Sequence, residues 1–509
     1  MDHFKGVRPT SPDDPYTPMV DTRDRFLRKT TALSAELTWD LAGGVLTSRT
    51  SGKWVKQKLY FDRDALFGQP FNTSAAAGRE FWVGFRDTTI DAYQQSLDYT
   101  HAVTLFGLSG DFAGGVEFLA DETERFSYEG TICALVPTPA VCPRANPANA
   151  NNIAAYHVKS KSYSGFASLN LSLTERLEMT IEGRLIHDTA DFDGAQEFGS
   201  NAVRVYDRFI NPARRSDSLK STDFSPAVSA KFAVTDNSNI FGRIATGYRA
   251  GGFNDRTGNT LSPTRTDLLP GTFDPETNIS YELGFKGEYS SVPVLDSVFL
   301  DIAGYYIESD DVIIDSTATV INPSDSIINN KNGGTSEQYG VEVQVRTRTR
   351  LGENTLVTTY IGMNYAEGFY TDPDARANPT INAATGMVTV AGAPIFGNRI
   401  PLLPKWQASA SLGVEHTIGE HALFATLGYT GEWQQAHDQA QTQPFTRRVA
   451  DRALFDLSAG YRNEDYTVRG VVKNLFDNQF WLAPAVAAQG RTARTNLPTE
   501  WRFEVTRRF

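Results

Sequence analysis

Residue types that do chemistry are sparse in this sequence. Its two cysteines, Cys133 and Cys142, are separated by eight residues inside the Pro-rich segment TICALVPTPAVCPR. In an oxidising compartment that spacing suits a disulfide closing the tip of a long loop. In a reducing one the same pair would be two free thiols. Neither His nor Asp lies near enough to complete a metal site with them. Asp188, Asp191, Asp193 and Glu197 offer oxygen ligands of the kind a hard cation takes. The same set also fits the solvated top of a strand entering a loop, as do Asp310 and Asp311. GxSxG, GxxxxGK, HExxH and paired CxxC motifs are absent, and the seven histidines are scattered. The expectation is a protein that is not an enzyme and uses no cofactor or metal. A net charge of −12 makes nucleic acid an unsuitable partner.

The elements that carry these residues are read from period-two alternation. Leu33, Ala35, Leu37, Trp39 and Leu41 interleave with Ser34, Glu36, Thr38 and Asp40, which is a strand with one apolar and one polar face. Ala167, Leu169, Leu171 and Leu173 repeat the pattern, as do Tyr339, Val341, Val343 and Val345 against Glu342, Gln344, Arg346 and Arg348. Eight hairpins of this kind and a lone final strand give about 17 strands, each long enough to cross a bilayer at a tilt. Turns within a hairpin take about two to five residues, whereas links between hairpins take about 11 to 35, a separation characteristic of outer-membrane barrels. Lys231, Arg243, Lys286, Glu288, Glu342 and Arg346 fall on the polar face. A basic residue facing lipid would cost about 2–4 kcal/mol at the midplane, so that face must line a wet or plugged lumen. No run of 18 apolar residues occurs, which leaves no candidate transmembrane helix. The fold class expected is all-β, a transmembrane antiparallel β-barrel.

Three segments sharpen this. IFGRIATGYRAGGFND (240–255), FDPETNISYELGFKGEY (273–289) and VVKNLFDNQFW (471–481), followed by an aromatic C-terminal strand, together resemble the barrel of a TonB-dependent outer-membrane receptor. The resemblance implies the last 17 or so strands of a 22-stranded barrel, with residues 30–509 as barrel and residues 1–29 as the descending part of an extracellular loop. The plug, the TonB-contacting box, the first strands and a signal peptide have no counterpart in the sequence, so the expectation is an N-terminally truncated barrel.

The same resemblance implies energised uptake of a scarce nutrient such as an iron-siderophore complex, in the outer membrane of a Gram-negative bacterium. Its implied partners are outer-membrane lipid, the barrel-assembly machinery and a small-molecule nutrient. A plug and the TonB energy-transducing complex would serve the full-length protein. A passive porin and a fragment without transport are the alternatives. Tyr248, Arg249, Phe253 and Asn254 become candidate ligand contacts, although Gly251 and Gly252 could explain that motif as a bend from strand to loop. Trp501, Phe503, Val505 and Phe509 read as the lipid-facing outer-membrane assembly signal. Arg507 stands where the family usually keeps an apolar residue, near a rim where its guanidinium can snorkel.

Overall fold

The computed structural model describes residues 25–62, 82–131, 152–198, 215–254, 271–321, 325–382, 387–436, 441, 451–487 and 490–508. Cys133, Cys142 and Phe509 lie outside the described residues. Seventeen strands form one antiparallel sheet. They are β1 (Arg25–Leu41), β2 (Gly44–Asp62), β3 (Trp82–Leu105), β4 (Leu108–Thr131), β5 (Asn152–Ser172) and β6 (Leu177–Phe198). Next come β7 (Arg215–Thr235), β8 (Ser238–Arg249), β9 (Glu276–Val292), β10 (Leu295–Asp310), β11 (Ser336–Leu351) and β12 (Thr355–Tyr370). The sheet ends with β13 (Trp406–Ile418), β14 (His421–Trp433), β15 (Arg452–Arg462), β16 (Tyr466–Lys473) and β17 (Glu500–Arg507). Each strand pairs with its predecessor and successor among these seventeen, so spatial order follows the chain. Among the described residues no ladder joins β1 to β17.

Short turns gather at one end of the sheet. Ala42-Gly43 and Phe106-Gly107 are two-residue turns with both φ positive (48° and 82°; 54° and 79°), the hairpin geometry whose twist matches that of the strands. Leu108 to Asp111 follow the second turn directly and already belong to β4. Several strands run well past their alternating segments: Trp82–Ala92, Phe126–Thr131, Asn152–Lys159 and Arg215–Lys220 all continue the ladder. Their polar composition fits strands that outrun a membrane, because there both faces are wet. Residues 25–29, expected in a loop, likewise open β1.

Register keeps the two faces separate across many strands. Ile181, Val228, Ile244 and Tyr281 form one apolar row over β6 to β9. These side chains are not packed into a core: Leu33 is 67% and Leu283 66% exposed. On the other face charges are matched between strands. Arg49 bonds Glu36 and Asp98 at 2.7 Å each, and Arg184 pairs with Glu117. Lys231–Glu178 (2.6 Å), Arg243–Glu182 (2.9 Å), Lys286–Asp301 (3.0 Å) and Arg462–Glu415 (2.7 Å) continue the series. Exposed apolar side chains on one face and paired ions on the other suit a wall with lipid outside and a wet lumen inside.

Candidate functional site at the long-loop end

Several of the long links at the far end of the sheet carry structure of their own among the described residues. Residues 313–321 and 325–332 form an antiparallel hairpin. Thr319 to Ile321 then run parallel to Thr380 to Asn382, which pair in turn with Met387 to Val390. This four-stranded sheet ties the link after β10 to the link after β12. Beneath it Ile314, Tyr370, Ala375, Ala377 and Ile395 form a buried cluster. Burial pushes the Tyr370 phenol well above its ordinary range, with the charges of Glu276 and Asp315 acting the same way.

Asn254 fastens a third link to this assembly. It is 5% exposed, its Nδ2 donates to the Asn330 carbonyl (2.8 Å), and its Oδ1 accepts the Asn330 N–H (2.9 Å). Asn332 Nδ2 bonds the carbonyls of Asp274 (3.0 Å) and Asp311 (2.8 Å) alongside. Asn254 thus spends its amide on holding two loops together. Asn332 escaped sequence reading because its side chain acts on backbone 58 and 21 residues away, and Asn330 because it takes part through its backbone, held by a side chain 76 residues away.

Tyr248 and Arg249 are adjacent on β8 and therefore take opposite faces. Arg249 shares the polar face with Arg243 and lies 3.7 Å from Glu276. The β7–β8 ladder stops at Ala227, because Pro226 has no N–H to continue it. Above that break the Tyr248 hydroxyl bonds Ser221 Oγ (2.5 Å) and donates to Asp188 Oδ2 (3.1 Å), bridging strands that no longer pair.

Phe253 ends an aromatic ladder along the upper polar face. Its ring stacks on Phe192 at 5.4 Å, and Phe192 stacks on Tyr156 at 5.9 Å. Arg125 Nη1 donates to the Tyr156 hydroxyl (2.8 Å), with its guanidinium carbon 5.7 Å from the ring centre. Gly194 makes room for the stack: a Cβ there would lie 2.5 Å from the Phe192 ring. Three successive strands and one loop thus present a guanidinium and three rings on one surface. Arg125, Tyr156 and Phe192 were missed because each falls in a different segment, and only register aligns them.

Alternation divides the acidic set considered for a cation. Asp188 lies on one face of β6 and Asp191 and Asp193 on the other, while the side chain of Glu197 is outside the described residues. Glu122, Glu124 and His157 do converge within 4.8 Å. Lys159 already sits 3.4 Å from Glu122, however, and His157 Nε2 is 2.6 Å from it, so the group reads as an ion-paired cluster.

The VVKNLFD motif forms a knot at the top of β16. Asn474, with φ 50°, sends Nδ2 to the carbonyls of Asn478 and Leu497 (3.1 Å each) and accepts the Asn478 N–H at 2.9 Å. Asp477 Oδ1 accepts the Thr499 N–H (3.0 Å), and Thr499 Oγ1 donates to the Asn474 carbonyl (2.7 Å). In β17 below, Trp501, Phe503 and Val505 share one face and are among the most exposed apolar residues, Trp501 at 77% and Phe503 at 72%. Glu504 on the other face pairs with Arg469 at 2.5 Å.

Comparison with known proteins agrees with this architecture. Residues 2–475 match the family model described as TonB dependent receptor-like, beta-barrel. The pesticin receptor of Yersinia pestis is 22% identical over 345 residues, covering 67% of this chain and 43% of the relative. That of Yersinia enterocolitica is 23% identical over the same shares. The structure of the ferric yersiniabactin uptake receptor of Yersinia pestis superposes with a TM-score of 0.68 at 16% identity, over 95% of this chain and 62% of that one. A siderophore receptor of Acinetobacter baumannii gives 0.66 at 15% identity, over 96% and 65%. The chain therefore spans less than half the length of these curated relatives. It belongs to the TonB-dependent receptor β-barrel family, whose barrels lie in the outer membrane of Gram-negative bacteria.

Proposed function

We propose that this TonB-dependent receptor barrel serves energised uptake of a scarce nutrient of the ferric-siderophore class across the outer membrane. Family membership over residues 2–475 supports this reading over a passive porin. The observation that carries the ligand class is the ladder of Arg125, Tyr156, Phe192 and Phe253 on the lumenal face. Stacked rings and a guanidinium suit a ligand with aromatic or conjugated, negatively charged iron-binding groups. Phe253 and Arg249 remain proposed ligand contacts. Tyr248 and Asn254 act instead by holding the seam and the loops that present them. Relatives named for ferric yersiniabactin uptake and for siderophore reception point to the same class.

A plug and the TonB energy-transducing complex are the proposed partners of transport, with outer-membrane lipid and the barrel-assembly machinery as partners of the wall. Trp501, Phe503, Val505 and Phe509 are proposed as the assembly signal. The test is uptake of radiolabelled iron, supplied as ferric siderophores, by the native host with the coding region deleted and restored. Restoration should return uptake, and loss of TonB or collapse of the proton gradient should abolish it. Restored passage of unrelated small solutes that ignores TonB would establish a passive pore instead.

A further inference from the structure

The outer face of the wall changes chemistry in layers where β1 and β2 leave the apolar band. On β1, Lys29 shares the face of Leu33, Leu37 and Trp39, the one turned to lipid. On β2 the alternate residues Trp54, Lys56, Lys58 and Tyr60 occupy the same side of the sheet. Lys29 lies directly opposite Lys56, and Leu27 opposite Lys58. Like charges set opposite one another on a ladder repel, so this arrangement costs the fold stability. All three lysines are exposed. Asp87 holds Lys58 at 3.3 Å, whereas Lys29 and Lys56 have no ion pair among the described residues. Below the lysines runs an aromatic belt. The Trp54 ring covers Gly52, where a Cβ would meet it at 2.7 Å. Tyr93, Phe118 and Tyr163 continue the belt over β3 to β5, with ring centres 6.1 and 5.0 Å apart. Above the lysines Tyr60, Phe85 and Phe126 form a second aromatic row, with ring centres 4.8 and 6.2 Å apart.

We infer that this corner of the outer wall seats a phosphorylated glycolipid of the surrounding leaflet. The order of side chains up the wall is the order of chemistry along such a molecule. Acyl chains lie against the apolar band of Leu33 and Leu37, as lipid does around the rest of the wall. Trp54 and Tyr93 mark the level where hydrocarbon gives way to headgroup. There a phosphate meets Lys29 and Lys56, and its charge removes the repulsion between them. From Trp54 to Tyr60 the strand climbs about 20 Å, which leaves room for sugar beyond the phosphate. The C–H face of a sugar ring lies on Tyr60, Phe85 and Phe126, because the negative face of an aromatic ring attracts it. Asp91, opposite Trp54, and Glu124, opposite Thr89, flank the lysines and confine the phosphate to β1 and β2. The site runs on from the wall's own lipid contact, so its occupant is a lipid of the leaflet.

The test uses the full chain purified from outer membranes in mild detergent, with bound lipid counted by native mass spectrometry. Its probes are a diphosphorylated acylated disaccharide, the dephosphorylated form of that lipid, phosphatidylglycerol and inorganic phosphate. The parent should hold the diphosphorylated disaccharide most tightly. Lys29→Gln with Lys56→Gln should weaken it about twenty-five-fold, from a factor of about five for each lysine near an anionic lipid surface. Lys29→Arg with Lys56→Arg should keep the affinity. Tyr60→Ala with Phe85→Ala should weaken the disaccharide lipid and leave phosphatidylglycerol unchanged. Heat-modifiable migration in gels checks that each variant keeps its fold. Binding that ignores the Gln pair, or that treats the dephosphorylated form alike, would overturn the inference. So would phosphatidylglycerol held as tightly as the disaccharide, inorganic phosphate displacing it at equal concentration, or a dimer that the Gln pair dissolves. None of these outcomes depends on whether the receptor imports iron.

Discussion

Asn474→Ala tests whether the VVKNLFD knot closes the top of the last hairpin. The side chain makes three hydrogen bonds, but their losses are unequal. The Asn478 carbonyl keeps a bond from Asn496 Nδ2 (2.7 Å), and the Leu497 carbonyl keeps one from the same atom (3.1 Å). The Asn478 N–H has no such substitute, because its acceptor is Asn474 Oδ1. Stranding one donor costs about 1–3 kcal/mol. Ala must also adopt the φ of 50°, which Asn tolerates and Ala resists by about 1 kcal/mol. The sum is about 3 kcal/mol, felt locally and not across the whole wall.

The assay is limited proteolysis of residues 475–498 in detergent, under conditions where cleavage follows the open population. About 3 kcal/mol should raise cleavage roughly hundredfold. Asn474→Gly separates the two causes: it removes the same bonds but accepts positive φ, so it should recover about fivefold. Equal cleavage for the Ala and Gly variants would refute the backbone part of the argument. Parent-like cleavage for both would show that the knot does not hold the loop.

Other perturbations test the remaining elements. Asn254→Ala should free the link after β8 from Asn330, raising amide exchange at residues 271–274 and 328–332 while exchange in β9 and β10 is unchanged. Tyr370→Ala should open the cluster around Ile314 and Ile395, at about 3–5 kcal/mol for a large ring, read as loop proteolysis. Because burial raises the Tyr370 phenol, its share of loop stability is intact below the ordinary tyrosine pKa and is lost as pH rises through the raised one. The difference between the ultraviolet titrations of the parent and Tyr370→Phe should therefore show this phenol ionising above the ordinary tyrosine range, and loop opening should track it. Phe503→Arg puts a cation on the exposed apolar face of β17, at up to about 2–4 kcal/mol near the midplane, and should lower the heat-modifiable fraction of refolded barrel.

What the sequence revealed depended on which interactions are periodic. The wall was legible because lipid outside and water inside impose a two-residue repeat on every strand. Leu33 to Leu41 state that repeat as clearly as Tyr339 to Val345 do. Strand ends were less legible: once β3 to β7 rise past the membrane both faces are wet, and Trp82–Ala92 loses the alternation that marks a strand. At the mouth, the logic is different again. Asn254 finds Asn330, Tyr248 finds Asp188 and Ser221, and Phe253 finds Phe192 across separate links, none of which leaves a period in the chain. In the motif GYRAGGFN four neighbouring residues looked like one ligand contact set. Strand alternation sends Tyr248 and Arg249 to opposite faces, and buried amide bonding commits Asn254 to the scaffold. Arg125, Tyr156 and Phe192 come together only through ladder register, because an antiparallel sheet fixes which residues meet by where its turns fall. In such a barrel the wall can therefore be read residue by residue, whereas the mouth must be read by register.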